Sequence, residues 1–192
     1  MITELCFVRH GETEWNNQRR IQGTINNPLN ENGRKQAVSV GTYFKTHDPN
    51  WDLIASSSLD RAYETAQIIA QKIGYNKEII KTPLLREREF GKAEGEGISK
   101  EIFDRIIADE IEDMEKNVDL QNRVYNFVKE IAKKYKGKRI LLVTHSHVIK
   151  GLLTKLDNKY SFHDEMVNSA LNYFTVKNDE ISIDKINISV HL

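Results

Sequence analysis

Two histidines, two arginines and a glutamate in this 192-residue chain carry the residue types that one particular reaction needs. Arg9 and His10 close an apolar run and are followed by Gly11, in FVRHGETEWN. Arg61 lies in SSSLDRAYETA, Glu87 in PLLREREFGKAEG and His145 in LLVTHSHVIKG. A phosphoryl group in transfer spreads negative charge over its equatorial oxygens, so the protein's work is to position and neutralise it. Arginine forks bind such oxygens in pairs, whereas lysine offers a point charge. A neutral imidazole attacks phosphorus, and a second imidazole, as the cation, clamps an equatorial oxygen. A carboxylic acid protonates the leaving alkoxide and then takes a proton from water, help typically worth ~10²–10⁴-fold in rate. Gly11 is expected to leave room for a close approach beside His10.

Each of these residues also has a plainer explanation. His10 fits a strand-end histidine bonded to a carbonyl. Arg61 fits a surface partner of Asp60 or Glu64, although a cation in the first turn of a helix opposes the helix dipole. Glu87 belongs to a charge run with Arg86, Arg88 and Glu89, and Phe90-Gly91 favours Glu87 over Glu89. His145 and His147, two apart, raise a metal site. There is no HExxH helix and no cysteine partner, and His47, His163 and His191 lack spacing that would complete a ligand set. Neither a metal nor a cofactor is expected. The acidic run Asp109 to Glu115 reads as a solvated helix face.

The elements that must position these residues follow from hydrophobic period. Residues 3–8, 52–57, 77–81 and 139–144 read as strands, and 171–176 with 181–188 as a closing pair. Helices are expected from Glu31, capped by Asn30, to about Lys45; from Leu59 to Ile73, stopped by Gly74; over 99–116; over Val124 to Tyr135; and from near His147. Alternating strands and helices predict an α/β fold: a three-layer sandwich with a mainly parallel sheet, helices on both faces and a small helical cap insertion. In such sheets ligands bind beyond the carboxyl ends of the strands. The first four strands deliver Arg9 and His10, Arg61, Glu87 and His145 to that edge.

Composition bounds the rest. The chain fits one domain, residues 1–192, with the cap at about 95–118. The 28 basic and 28 acidic residues balance, so no overall field favours nucleic acid or an anionic membrane. Cys6 is the only cysteine; it excludes an intramolecular disulfide, and its neighbours Leu5 and Phe7 suggest a buried thiol. No apolar run is long enough for a membrane helix, and the first residues lack a signal-peptide pattern. A reducing cytoplasm is the expected location.

The motifs together resemble the histidine phosphatase superfamily, the phosphoglycerate mutase-like family. VRHGETEWN resembles its first signature, RRIQGTINNPLNENGRKQA the following loop and helix start, and SSSLDRAYETA its second arginine motif. LREREFGKAEG resembles the glutamate motif, VTHSHVI the second histidine motif, and NISVHL a common ending. The resemblance implies His10 as the phosphorylated nucleophile, Arg9, Arg61 and His145 as a phosphate pocket, and Glu87 as proton donor. It also implies that Asn16 helps bind phosphate and that Gln22 and Gly23 lie in a loop closing over substrate. The chain departs from the family at Ser146 and His147, where small residues are common, and at Ala93, where a tryptophan is common.

The expected activity is a metal-independent phosphatase that hydrolyses phosphomonoesters of small molecules through a phosphohistidine. The alternatives are a cofactor-dependent phosphoglycerate mutase, to which the short acidic insertion is poorly suited, a non-catalytic phospho-ligand binder and a metal hydrolase. Arg19, Arg20, Arg88 and Lys92 are the candidates for a second anionic group.

Overall fold

Six strands form one sheet in the computed structural model, which describes residues 1–192. Strands β1 (Thr3–Arg9), β2 (Leu53–Ser57), β3 (Ile80–Thr82) and β4 (Arg139–Thr144) are parallel and lie in the order β3-β2-β4-β1. Strand β5 (Leu171–Lys177) runs antiparallel to β1, and β6 (Glu180–Ile188) completes a hairpin. The hairpin turn is made by Asn178 and Asp179, both at positive φ (49° and 64°), the geometry that suits the twist of a two-residue loop.

Period-two patterning gives the sheet two buried faces. Leu5 and Phe7 of β1, with Ile140 and Leu142 of β4, pack on one side with helices α5 (Asn117–Lys134) and α6 (Ser146–Leu156). Cys6 and Val8, with Leu141 and Val143, pack on the other with α2 (Glu31–His47) and α3 (Asp60–Ile73). The result is the expected three-layer sandwich. Burying a Leu or Phe side chain is worth roughly 1.5–3 kcal/mol, against about 0–1 kcal/mol for a surface ion pair. The two apolar layers therefore decide where the strand ends fall. Asn30 caps α2 by accepting from Gly33 N–H at 2.8 Å, and Gly74 ends α3 at φ 72°. Cys6 is fully buried.

The largest departure from the sequence reading lies between β3 and α5. The expected helix over 99–116 stops early, as α4 (Lys100–Ile107), and α5 starts seven residues before Val124, at Asn117. Asp109 and Asp113 sit in the left-handed region (φ 59° and 62°), which breaks the helix. Their segment is not a solvated helix face. Asp109 accepts from the buried Arg88 at 2.6 Å and from Asn117 N–H at 3.0 Å, and Glu115 takes the Arg123 fork at 2.7 Å on both oxygens. Ile21, Phe90, Ala93, Ile106, Ile111 and Met114 form a small apolar cluster of their own beneath this segment. The short strand expected at 77–81 is shifted to Ile80–Thr82.

Candidate active site

Sheet register brings the two histidines together. Arg9 pairs with Thr144 across β1 and β4, and His10 N–H donates to Thr144 O at 2.9 Å. The next residue of each strand end is then a histidine, and the rings of His10 and His145 stand 5.1 Å apart. A cavity of about 680 Å³ opens here, lined by Arg9, His10, Arg61 and Glu87 and by Asn16, Gln22 and Gly23.

His10 is 3 % exposed, and its hydrogen bonds define its tautomer. Nδ1 lies 2.6 Å from Gly11 O, a group that only accepts, so Nδ1 carries the proton. Nε2 accepts from Arg61 Nε at 3.3 Å, so the ring's lone pair is on Nε2. Burial, then the charges of Arg61 and Arg9, push the pKa well below the ordinary histidine value, so the ring is neutral at pH 7.

Arg61 is buried and wired at three points. Besides its bond to His10, Nη1 donates to Ile25 O at 2.8 Å and Nη2 to Gly23 O at 2.7 Å. Asp60 bonds with Asn26 instead, and Glu64 pairs with Arg34 at 2.6 Å, so neither competes for the guanidinium. Arg9 donates from Nη1 to Met166 O, and its Nε is buried without a protein acceptor. Burial lowers the pKa of both arginines to about 10, and both stay charged at neutral pH.

His145 is fully buried, with Nε2 2.7 Å from Ser57 Oγ and Nδ1 unpartnered. Burial and the neighbouring Arg61 push its pKa well below the usual histidine range. The protein's own groups thus favour neutral imidazole, not the cation expected from the sequence. An anion beside it would supply the opposite field.

Glu87 is 7 % exposed, and Glu89 lies at the surface, 3.8 Å from Arg86. Glu87 Oε1 accepts from Arg88 N–H at 2.9 Å and Oε2 from His147 N–H at 3.5 Å. Desolvation raises its pKa; these N–H groups, Arg61 and Arg9 oppose the rise without cancelling it. The raised pKa favours the protonated carboxyl, the form that a proton donor needs.

The loop residues divide their atoms between structure and cavity. Asn16 Oδ1 accepts from Thr13 N–H at 3.1 Å while Asn16 N–H donates to Thr13 Oγ at 3.2 Å, a capping box on α1 (Glu14–Asn17). Gln22 Oε1 accepts from Thr13 Oγ at 2.9 Å. Gly23 sits at φ 53° with Glu94 Oε1 only 2.0 Å from where a Cβ would be, and its carbonyl holds Arg61. Gly11 also has no room for a Cβ. A Cβ there would meet Gly33 O at 2.3 Å, so the close approach is to the first turn of α2.

Two candidates for a second anionic group are not in the cavity. Arg88 is fully buried against Asp109, and Lys92 pairs at the surface with Glu112 at 2.7 Å. Arg19 and Arg20 do line the cavity. The structure adds residues that the motifs did not reveal. Asn168 donates to His10 O at 3.0 Å and to Asn16 Oδ1 at 3.3 Å. Thr65 accepts from Gly11 N–H at 3.1 Å and donates to Arg61 O at 2.7 Å, tying the β1 loop to α3. Lys150, on α6, also lines the cavity.

No three His, Cys, Asp or Glu side chains converge closely enough to hold a metal ion. His147 stacks on Phe162 at 5.1 Å and meets Phe90 edge-on at 4.9 Å, in an aromatic setting rather than a ligand set. No helix is long and apolar enough to cross a membrane.

The chain is similar to known proteins over almost its whole length. The family model for the histidine phosphatase superfamily, branch 1, matches residues 5–189. The uncharacterized phosphatase PhoE of Bacillus subtilis is 34 % identical over 196 residues, covering 100 % of this chain and 97 % of PhoE. A metal-independent phosphoserine phosphatase of Arabidopsis thaliana is 35 % identical over 203 residues, covering 100 % and 84 %. A phosphoserine phosphatase mutant of Entamoeba histolytica, solved with phosphoserine, superposes with a TM-score of 0.86 at 27 % identity, covering 99 % of both chains.

Proposed function

The chain belongs to the histidine phosphatase superfamily, and from that premise we propose that it is a metal-independent phosphomonoesterase acting through a phosphohistidine at His10. The observation that carries the reading is the state of His10: neutral, with its proton fixed on Nδ1 by Gly11 O and its lone pair on Nε2. Nε2 attacks phosphorus as the ester P–O bond breaks. Glu87, protonated, gives its proton to the departing alkoxide. Arg9 and Arg61 face the charge on the equatorial oxygens, and the phosphate dianion draws His145, buried beside His10, toward its cationic form. Arg61 Nε–H passes from Nε2 to a phosphoryl oxygen as the nitrogen is used.

In the second half, the Glu87 carboxylate takes a proton from water and the oxygen attacks phosphorus. The Nε2–P bond breaks, inorganic phosphate leaves, and both His10 and Glu87 return to their starting protonation. Asn16 and Gln22 place their amide groups along the same wall, and Gly23 serves by fixing Arg61. Residues 1–192 work as one unit, with the segment at about 95–118 as a cap over the cavity mouth. A small phosphorylated molecule in the cytoplasm is the ligand in this reading, a class supported by the phosphoserine bound in the Entamoeba enzyme.

Hydrolysis of phenyl phosphate in the presence of EDTA tests the reaction class. Phosphate release that survives chelation and is lost in His10→Ala is expected. Activity that needs an added divalent ion would replace this reading with a metal hydrolase. Isomerisation of 3-phosphoglycerate exceeding hydrolysis, with a bisphosphoglycerate primer, would replace it with a mutase.

A further inference from the structure

Arg88 directly follows the proposed proton donor and is fully buried. Its guanidinium is held from the segment between α4 and α5. Nη2 donates to Asp109 Oδ1 at 2.6 Å and Nε to Glu115 O at 2.8 Å, while Nη1 is buried without a protein acceptor. Desolvating a guanidinium is costly, and a well-packed apolar residue in place of a buried ion pair is often neutral or stabilising. Stability alone therefore does not account for an arginine at this position. What the contacts supply is geometry. A planar guanidinium anchored at two nitrogens fixes the direction of its side chain, and with it the direction of its own main-chain N–H.

That N–H is one of the two that hold Glu87. Arg88 N–H donates to Glu87 Oε1 at 2.9 Å, and His147 N–H donates to Oε2 at 3.5 Å. Both donors rest on the same guanidinium. Arg88 Cζ stands 5.5 Å from the Phe162 ring centroid and 5.9 Å from that of Phe90. These two rings in turn hold the His147 ring, at 5.1 Å and 4.9 Å. Asp109, at φ 59°, also accepts from Asn117 N–H at 3.0 Å, so the carboxylate that holds Arg88 also meets the start of α5. We propose that Arg88 is a positioning residue: its buried pair with Asp109 ties the segment between α4 and α5 to Glu87 and holds that carboxyl where it can reach the leaving oxygen. The proposal rests on the reading of Glu87 as proton donor.

The test measures kcat/KM for ethyl phosphate, whose leaving group needs a proton, and for p-nitrophenyl phosphate, whose leaving group departs as a stable anion. Arg88→Met is expected to lower the first by about ten- to a hundred-fold and the second by less than about threefold, the scale of displacing one reacting group by about an ångström. Arg88→Lys retains part of the ethyl phosphate activity. Asp109→Asn removes the charge but keeps a residue that tolerates left-handed backbone. It shifts the ratio of the two esters in the same direction by a smaller factor, and it decides the matter if Arg88→Met does not fold. In a Glu87→Gln background, Arg88→Met leaves the ratio unchanged, because the group it positions is already gone. Equal losses with the two esters in Arg88→Met and Asp109→Asn overturn the proposal, as does a ratio change that persists in the Glu87→Gln background. If Glu87→Gln alone lowers both esters equally, the proton-donor reading falls and the positioning role falls with it. If Glu87→Gln is selective and the Arg88 and Asp109 variants are not, only the positioning role falls.

Discussion

Arg61 Nε donates to Nε2 of His10 across 3.3 Å, so the proposed nucleophile and the proposed phosphate ligand hold each other before any phosphate is bound. The contact keeps the lone pair on Nε2, and the neighbouring charge discourages protonation of the ring. The other two nitrogens of the guanidinium are held by Gly23 and Ile25 carbonyls. A lysine has the charge but neither the fork nor a second anchoring nitrogen. Arg61→Lys is expected to lower kcat/KM for phenyl phosphate by about a hundred-fold or more, on the scale of losing one preorganised donor. Steady-state kinetics check this, and a loss under threefold would mean that only net charge matters at this position.

Glu87 is expected to matter in proportion to how badly the leaving group needs a proton. In Glu87→Gln, hydrolysis of an alkyl phosphate should fall by ~10²–10⁴-fold. The first step with p-nitrophenyl phosphate, whose leaving group departs as a stable anion, should fall much less. Burst kinetics with the two substrates separate the cases, and equal losses in the first step would remove Glu87 from the acid role.

The same carboxyl sets the sign of the pH profile. Its pKa is raised by burial, and that of His10 is lowered. The active form needs Glu87 protonated and His10 neutral. Activity should therefore fall on the acid side only well below pH 6.5, and on the alkaline side as Glu87 ionises. The kcat/KM profile of Glu87→Gln should lose the alkaline limb and keep the acid one.

His147 offers a test of stability rather than activity. Its ring is buried against Phe90, Phe103 and Phe162, and burial, with Lys150 and Arg88 adding, holds its pKa well below 6.5. The unfolded chain binds the proton first, so folding loses stability as pH drops below about 6.5 toward the folded pKa. Each such group costs roughly 1.4 kcal/mol per pH unit in that window. His147→Phe should therefore flatten the urea-unfolding free energy between pH 7 and pH 5 relative to the parent. An unchanged slope would mean that the ring is protonated in the fold.

The first four strand ends were legible because apolar runs with period two identify strands, and parallel strands leave their carboxyl ends on one edge. Motif likeness added the roles expected of Asn16, Gln22 and Gly23. What escaped the sequence was held by backbone atoms or by left-handed residues. Met166 O and Phe162 O anchor Arg9 and Lys150, and a carbonyl has no sequence signature. Lys150 itself lies among the apolar residues of α6 and reads as an interruption of its core face. Arg88 reads as surface inside REREF, but it is buried because Asp109, at φ 59°, turns back to meet it. Helical period in 99–116 concealed that turn.

Direct detection of the phosphorylated residue reaches furthest into the account. Active protein mixed with excess p-nitrophenyl phosphate, quenched in alkali within milliseconds and digested, should yield one phosphorylated peptide. Fragmentation should place the phosphoryl group on His10, as an acid-labile, base-stable adduct absent from His10→Ala. Steady turnover with no phosphorylated peptide at any quench time, or with the label on another residue, would contradict nucleophilic attack by His10.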